Sequence, residues 1–254
     1  MKILSFCING KMAHFRKYYS NSTALSYLIP PVTTLKGILA GLLGYERDSY
    51  YDIFSNVHCR TAILIKRPLK KMTQSMNLLK VESLNDLNGA GKNHTQNDTE
   101  FIIPKSIRED YLSYQILFSH DDTLLMKGLA DCLTAGTDYY RSKAIALALG
   151  SSACGGWIDQ VQTVELEARV SRGEELDFYS AVVLNKVEKI GLGSLDNAFL
   201  AKEESITEFD AQRQITKASK QDILVNTMQL PLVLSLKKAS EYFVFENQNI
   251  VFME

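Results

Sequence analysis

One stretch, residues 12–54, constrains the fold more than any other, because a basic and aromatic loop runs directly into two prolines and a helix-forming segment. Pro31 biases Pro30 toward an extended conformation, and neither ring nitrogen can donate a hydrogen bond, so an extended run ends here. A threonine after the prolines can cap the helix that we predict over residues 34–43. Glycines among its leucines allow that helix to pack closely against a sheet, at some cost in helix propensity.

The loop before the prolines alternates cations with aromatic rings. His14 is followed by Arg16 and Lys17, and these by Tyr18 and Tyr19. Cations pair with phosphates and rings stack on unpaired bases, which is the combination that single-stranded RNA recognition uses. We therefore interpret the segment as an RNA-binding loop. Residue types alone leave an alternative open, namely a basic surface loop that precedes a core helix.

Six segments follow one another in the order strand, helix, strand, strand, helix, strand. Hydrophobic patterning predicts them at residues 2–9, 34–43, 58–66, 111–118, 122–133 and 161–167, with a further helical stretch at 48–54. Asp121 or Asp122 is the predicted cap of the helix at 122–133. This order is that of ferredoxin-like or RRM-like domains. The sequence therefore predicts an α+β fold whose first domain covers residues 1–168.

The remaining part of the chain is predicted to be a small, mostly β subdomain over residues 169–254. We expect extended segments at residues 178–187 and 242–252, and a helical or irregular segment at 206–218. The signature that many RRM domains carry on a central strand, a basic residue followed by alternating glycine and aromatic residues, is absent. Any bound RNA therefore need not lie on the open face of the sheet.

Residues 68–104 interrupt the first domain with a polar stretch that is too long for an ordinary connection in a compact domain. Insertions of this length are usually functional or disordered. Lys70, Lys71, Lys92 and His94 lie in this segment and are candidates for RNA contacts. A solvated hairpin edge that carries charge to prevent aggregation is the alternative for the first two lysines.

Charge is unevenly distributed, although the net charge is only -1. Residues 1–80 contain 12 Lys and Arg against 3 Asp and Glu, a balance of +9, whereas residues 81–254 contain 16 against 26, a balance of -10. The N-terminal part therefore suits a polyanion, and the acidic remainder suits protein neighbours. The alternative is that the fold interleaves the two halves and averages the field.

The sequence supports neither a metal site nor a membrane protein. Its four cysteines are far apart and lack paired metal-ligand spacing, which is typical of buried free thiols in a reducing cytoplasm. Four isolated histidines and scattered carboxylates predict no metal cluster and no cofactor. We see no signal peptide and no apolar run long enough to span a bilayer, so we expect a cytoplasmic protein without membrane contact.

Several motifs together resemble one known family. They are the strand at 3–8, Ala13-His14-Phe15-Arg16-Lys17, residues 20–27, Pro30-Pro31-Val32-Thr33-Thr34, Gly37 to Gly44 with Glu46-Arg47, His94-Thr95-Gln96, Glu100-Phe101, Tyr114 to Leu117, and Leu149 to Cys154. They are similar to the CRISPR-associated Cas-five family, closest to its type I-B branch. Members of this family cap the five-prime handle of the guide RNA, the crRNA, in type I Cascade surveillance complexes.

This resemblance implies a non-catalytic RNA-binding and assembly subunit in antiviral defence. Its implied partners are the five-prime handle of crRNA, the backbone subunit of the Cas-seven family and the large subunit of the Cas-eight family, with target DNA met indirectly through the complex. In the family a long β-hairpin thumb reaches the backbone subunit, and the resemblance implies that residues 68–104 form this thumb, with the hairpin turn at an Asn- and Gly-rich tip. Phosphates would be held by Arg16, Lys17, Lys36, Arg60, Lys66, Lys70 and Lys71, and bases would be stacked or wedged by Tyr18, Tyr19 and Tyr27.

A turn of small residues is a further candidate for handle contact, because the matching turn of the family lies near the handle. Ser151 and Ser152 can offer hydroxyl or amide donors to a phosphate. The alternative is a turn before a strand that needs glycine conformations for structural reasons only.

An endoribonuclease that processes precursor crRNA without a metal is the main alternative function. One branch of the family performs this reaction with a tyrosine, a lysine and a histidine, since the attack needs a base, an acid and a cation. His14, Tyr18, Tyr19, Lys92 and His94 supply these residue types. The match is imperfect because Asn93 separates the lysine from the histidine, so binding is the preferred role. A protein scaffold with little RNA contact of its own is a third alternative.

Overall fold

The computed structural model describes residues 1–20, 23–78, 84–87, 95–106, 108, 110–134, 147–191 and 198–253. Its strands are β1 Lys2–Gly10, β2 Phe15–Arg16, β3 Ser26–Tyr27, β4 Cys59–Ile65, β5 Leu69–Leu78, β6 Thr95–Pro104, β7 Leu112–His120, β8 Gly156–Glu165, β9 Ala168–Val170, β10 Glu175–Phe178, β11 Val182–Val183, β12 Val187–Ile190, β13 Leu200–Ile206, β14 Lys220–Asn226, β15 Leu232–Leu236, β16 Glu241–Phe245 and β17 Gln248–Ile250. Its helices are α1 Val32–Leu42, the short α2 Leu84–Leu87 and α3 Thr123–Thr134, with a 3-10 helix at Leu184–Lys186. This combination of mainly antiparallel strands with two longer helices confirms the predicted α+β class.

A four-stranded sheet forms the centre of the N-terminal part. Its strand order is β4-β7-β1-β8, and every neighbouring pair is antiparallel. The chain enters α1 between β1 and β4, and α3 between β7 and β8. β1 and β7 are the inner strands and are almost continuously buried, which explains why their sequences are apolar on both faces.

The two faces of this sheet are covered by different parts of the chain. Alternate side chains of β1, such as Phe6 and Ile8, share a core with buried residues of α1 and α3. On the opposite face, Leu64 and Leu117 belong to a second core with four side chains of the C-terminal segment, Phe243, Phe245 and Ile250 in β16 and β17 and Phe252 just after them. Much of the face that RRM domains use for RNA is therefore occupied by the protein's own C-terminal strands.

The C-terminal strands form two further sheets. One has six strands in the order β12-β15-β10-β17-β16-β9, and the other has three in the order β11-β14-β13. Residues from both sides of the predicted domain boundary at 168 share one hydrophobic core. Val183 and Val225, from the C-terminal part, pack in the core on the helix side of the first sheet. The domain boundary at 168 remains a prediction, and the two predicted parts are packed against one another.

The polar interruption contains a two-stranded hairpin. β5 and β6 pair in antiparallel register from Leu69↔Pro104 to Leu78↔Thr95. Several successive side chains of β5, including Thr73 and Gln74, are exposed, so this ladder stands largely outside the core. Lys92 and His94 lie outside the described residues.

Two predicted segments have a different structure. Residues 48–54 form turns rather than a helix, and Asp48 has a φ of 64°, a left-handed conformation that does not continue a helix. Residues 178–187 do not form one extended run, because the 3-10 helix at Leu184–Lys186 interrupts it. The predicted cap of α3 is confirmed, since the Asp122 carboxylate accepts from the N–H groups of Leu124 and Leu125.

In the described part of the chain, each helix falls short of the length and apolar character that crossing a membrane requires. Within the same residues, no three His, Cys, Asp or Glu side chains are grouped as a metal site would need.

We predict that Phe252→Ala destabilises the whole chain, because this 1% exposed ring joins the C-terminal strands to the central sheet. The expected cost is about 3–5 kcal/mol in the free energy of unfolding, measured by chemical denaturation. Val57→Ala is the control, since Val57 is 82% exposed and its truncation should change stability by less than about 0.5 kcal/mol. Equal effects of the two substitutions would contradict a shared core.

Candidate nucleic-acid interface

A groove of about 440 Å³ lies where the basic and aromatic loop meets the hairpin, the start of α1 and the turn of small residues. It is lined by His14, Phe15, Arg16, Ala24, Pro31, Thr34, Met76, Asn97, Thr99, Phe101, Gly150, Ser151 and Ala153. Three of the predicted RNA-binding residues, His14, Arg16 and Ser151, are thus brought to one place from distant parts of the sequence. We call this feature the loop–hairpin groove.

The N-terminus of α1 faces the loop–hairpin groove through Pro31 and Thr34. The Pro31 carbonyl accepts from the N–H groups of Thr34 and Leu35, and the first turn has neither a side-chain cap nor an acidic residue. The predicted threonine cap is therefore wrong, because α1 begins at Val32 and both threonines lie inside it. The earlier N–H groups, those of Val32 and Thr33, have no acceptor among the described residues. A helix N-terminus of this kind favours an anion through its free donors and its dipole.

His14 is fixed in the wall of the groove by hydrogen bonds at both its backbone and its ring. Its backbone N–H donates to the Leu149 carbonyl at 3.0 Å, and its Nδ1 lies 2.7 Å from the Glu100 carbonyl oxygen. A carbonyl oxygen can only accept, so Nδ1 carries the proton. Nε2 is then available to accept a hydrogen bond from a ligand.

Arg16 is the exposed cation of the groove. It lies in β2, which pairs with β3, and its Nη2 donates to the Ser20 carbonyl at 3.0 Å. This bond fixes one edge of the guanidinium while other N–H donors remain for a phosphate.

Gly150 allows the small-residue turn to approach the loop closely. Its φ is +87°, and a Cβ added at this position would overlap the carbonyl oxygen of His14. The turn closes through a hydrogen bond from the Cys154 N–H to the Ser151 carbonyl. Ser151 lines the groove, whereas Ser152 is exposed beside it.

Behind the groove, two glutamates hold three segments of the chain together. The buried carboxylate of Glu203, in β13, lies 3.0 Å from the Lys17 amine and 3.4 Å from that of Lys71, and it accepts from the Leu28 N–H at 2.8 Å. Glu100, in β6, lies 3.2 Å from Lys71 and accepts from the Ser26 N–H at 2.9 Å. We call these four charged side chains the lysine–glutamate network.

The network determines the protonation of Lys17. Burial on its own would lower the pKa of this amine, but the charge and hydrogen bond of Glu203, together with smaller contributions from Tyr19, raise that pKa above its usual value. A raised pKa in the folded state means that the charged amine stabilises the fold below the unfolded pKa of about 10.4, and that this contribution is lost as the pH rises through the folded value.

The three predicted tyrosines have different environments. Tyr18 and Tyr19 are 41% and 48% exposed, and their rings form an edge contact with centroids 5.1 Å apart. The Tyr18 hydroxyl bonds Glu204 and accepts from Lys220. Tyr27 is buried, with the Lys17 amine 5.2 Å from its ring centroid, and burial raises the pKa of its hydroxyl. Only Tyr18 and Tyr19 present rings on which a base could stack.

Several predicted phosphate contacts lie away from the loop–hairpin groove. Lys36 is 4% exposed and donates to Asn56 at 2.8 Å, and burial lowers the pKa of its amine, so in this conformation it cannot reach a phosphate. Arg60 lies 3.6 Å from Glu241, and Lys66 lines a separate small cavity beside β4. Lys70 is exposed on the hairpin. Lys17 and Lys71 were also predicted to contact phosphates, but their amines form ion pairs with Glu203 and Glu100 inside the protein.

Sequence reasoning did not find the glutamates of the network or the hairpin residues that line the groove, such as Asn97 and Thr99. Glu203 lies 186 residues from Lys17, and no local pattern marks such a pair. The only signal available for Glu100 was its place in the family-like pair with Phe101.

The fold and the groove together define an α+β protein with a cationic and aromatic cleft. No protein-family model matches the chain, and no curated protein matches it in sequence. A crystal structure of a CRISPR protein from Archaeoglobus fulgidus has the same fold, with a TM-score of 0.59, 98% of each chain covered and 10% identity.

Two other solved structures match less well. A chain of a CRISPR RNA-guided surveillance complex has a TM-score of 0.46 with 13% identity over 91% of each chain. A crystal structure of a Cas protein has a TM-score of 0.47 with 12% identity over 91% of this chain and 98% of the other.

We predict that Gly150→Ala is destabilising, because alanine would need a left-handed backbone and its Cβ would overlap the His14 carbonyl. The expected cost is more than about 2 kcal/mol in the free energy of unfolding. Gly155→Ala in the same turn is a matched control, since its added Cβ would have no atom within 4 Å. It should change stability by less than about 1 kcal/mol. Similar losses for both would show that the close approach is unimportant.

We also predict that Glu203→Gln destabilises the fold by about 3–5 kcal/mol, because it leaves the buried Lys17 charge without its partner. The control is Glu204→Gln, because Glu204 is the half-exposed neighbour of Glu203. This substitution should lower the free energy of unfolding by less than about 1 kcal/mol. Denaturation at neutral pH and above about pH 10.4 gives the comparison. The difference between wild type and Glu203→Gln should shrink at the higher pH, and a constant difference would contradict the role given to Lys17.

Proposed function

We propose that this chain is a non-catalytic subunit of a type I CRISPR Cascade surveillance complex that binds and caps the five-prime handle of crRNA. Its sequence motifs resemble the Cas-five family, closest to type I-B, and it shares a fold with a CRISPR protein. We further propose that the first domain is ferredoxin-like, and its antiparallel strand order β4-β7-β1-β8 supports this assignment.

The observation that carries the proposal is the composition of the loop–hairpin groove. A guanidinium, an imidazole, a turn hydroxyl and a helix N-terminus converge there, and among the described residues no acidic side chain lines the groove. The guanidinium, the hydroxyl and the helix N-terminus favour a phosphate, and Nε2 of His14 can accept a hydrogen bond from a ribose hydroxyl or a base. Single-stranded RNA offers phosphates, ribose hydroxyls and unpaired bases. Tyr18 and Tyr19 lie in the same loop as Arg16 and present exposed rings for stacking.

We assign the hairpin β5–β6 as the thumb toward the backbone subunit. Ten residues in each strand give a ladder of about 33 Å, at about 3.3 Å per residue, which is long enough to contact a neighbouring subunit. Lys70 is exposed on it, whereas Lys71 belongs to the lysine–glutamate network. In this proposal the chain also contacts a large subunit of the Cas-eight family, and it meets target DNA only indirectly, through the assembled complex.

A binding role is preferred to RNA cleavage because the geometry of the described groove favours a phosphate grip. His14 donates its Nδ1 proton to the Glu100 carbonyl, the rings of Tyr18 and Tyr19 are in edge contact, and the Tyr18 hydroxyl donates to Glu204. These contacts orient the side chains for binding. The experiment below separates the two functions.

We predict that the purified chain binds labelled repeat RNA in EDTA without cutting it, as a filter assay and a denaturing gel would record. Arg16→Ala should make the slope of log affinity against log salt shallower by about 0.7, the value for one contact to a single strand. At about 0.1 M salt this corresponds to an affinity about fivefold lower. Arg47→Ala is the matched control, because Arg47 is 82% exposed and pairs only with the adjacent Asp48 in the described part of the chain.

Specific cleavage in EDTA would reverse the assignment and make the chain a processing endoribonuclease. In that case alanine at His14 would abolish cutting while retaining binding. Equal salt slopes for the Arg16 and Arg47 variants would contradict the groove as the binding site. Absence of salt-dependent binding would favour a scaffold role for the isolated chain.

A further inference from the structure

A second group of cations lies at the edge of the six-stranded C-terminal sheet. Arg169 is in the edge strand β9, Arg172 follows it, and Lys237 and Lys238 are in the turn before β16. All four side chains are exposed, and within the described part of the chain none has an ion-pair partner. We call this group the edge patch. None of its residues lines the loop–hairpin groove.

Backbone hydrogen bonds bring the two halves of the edge patch together. Arg169 is paired with Tyr242 in the β9–β16 ladder, and the Ser171 carbonyl accepts from the Ala239 N–H at 3.0 Å. Gly173, with a φ of +92°, turns the chain so that its backbone lies against the stem of Lys238. The cations are therefore held in adjacent segments of one surface.

The edge patch borders an open concavity of about 830 Å³, lined by Arg169, Val170, Arg172, Gly173, Glu174 and Tyr242. The Glu174 carboxylate accepts from the Arg172 N–H at 2.8 Å and so caps the local turn. Elsewhere in the C-terminal part, exposed cations such as Lys202 and Arg213 lie within ion-pair distance of acidic partners. The concentration of unpaired positive charge at this edge is thus unusual for an otherwise acidic region.

We propose that the edge patch binds the phosphate backbone of a nucleic-acid duplex without reading its sequence. Two guanidinium groups suit phosphates because each presents a fork of donors. The one aromatic residue in the concavity, Tyr242, is 6% exposed, so it offers no ring for base stacking. Cations without an exposed ring suit stacked, paired nucleic acid, whereas single-strand sites add aromatic platforms. This proposal does not rest on the function assigned to the groove.

The test uses the full chain and a DNA duplex of arbitrary sequence, with binding followed by fluorescence anisotropy from about 50 to about 200 mM salt. The double variant Arg169→Ala/Arg172→Ala should make the salt slope shallower by about 1.8, at about 0.9 for each lost phosphate contact. Its affinity at about 0.1 M salt should fall at least about tenfold. Repeat-RNA binding by the same variant should match wild type.

The matched control is Lys202→Ala/Arg213→Ala, which removes the same amount of exposed charge outside the patch. Thermal denaturation of both double variants verifies that they fold. The proposal is overturned if wild type does not bind the duplex at the lowest salt, or if the two double variants have the same slope. An acidic protein partner for the patch would give this second result. Arg16→Ala separates the two sites, since it should weaken RNA binding alone.

Discussion

The buried ion pair between Lys17 and Glu203 is the interaction on which the arrangement around the groove depends. It joins the loop after β1 to β13, and Lys71 extends the connection to the hairpin and to Glu100. Both glutamates also accept backbone N–H groups of residues 26 and 28, so the loop is fixed by its main chain as well as by charge. Removing one member would leave a buried charge unpaired, which makes the arrangement of the three segments interdependent.

This arrangement bears on the position of the proposed RNA site. The C-terminal strands pack on the sheet face that lies opposite the helices, so the loops at the end of β1 and the hairpin provide the cleft instead. Arg16 and the N-terminus of α1 remain available there, whereas Lys17 is used for structure. The proposed handle site is a groove for single-stranded RNA with exposed aromatic rings beside it. The proposed edge patch is a cationic surface without exposed rings, for a duplex.

Local patterns predicted much of the fold and less of the site. β1 and β7 were found because they are long apolar runs, and α3 because Asp122 precedes an amphipathic segment. The prediction of a helix over residues 48–54 is wrong because Asp48 has a positive φ, a left-handed conformation that does not continue a helix. Residue type indicated His14 and Arg16 as candidates, the family-like turn indicated Ser151, and the structure places all three in the loop–hairpin groove. Which lysines become structural depends on Glu203 and Asn56, and sequence patterns do not reveal such distant partners.

Photocrosslinking of repeat RNA that carries thiouridine in the handle, followed by mass spectrometry of the attached peptides, tests the central claim most directly. The account predicts crosslinks to the walls of the loop–hairpin groove, in peptides that contain residues 14–19, 97–101 or 150–153. Arg16→Ala should reduce those crosslinks, and Arg47→Ala should not. Crosslinks confined to the central sheet or to the C-terminal strands, with the groove peptides unlabelled, would contradict it.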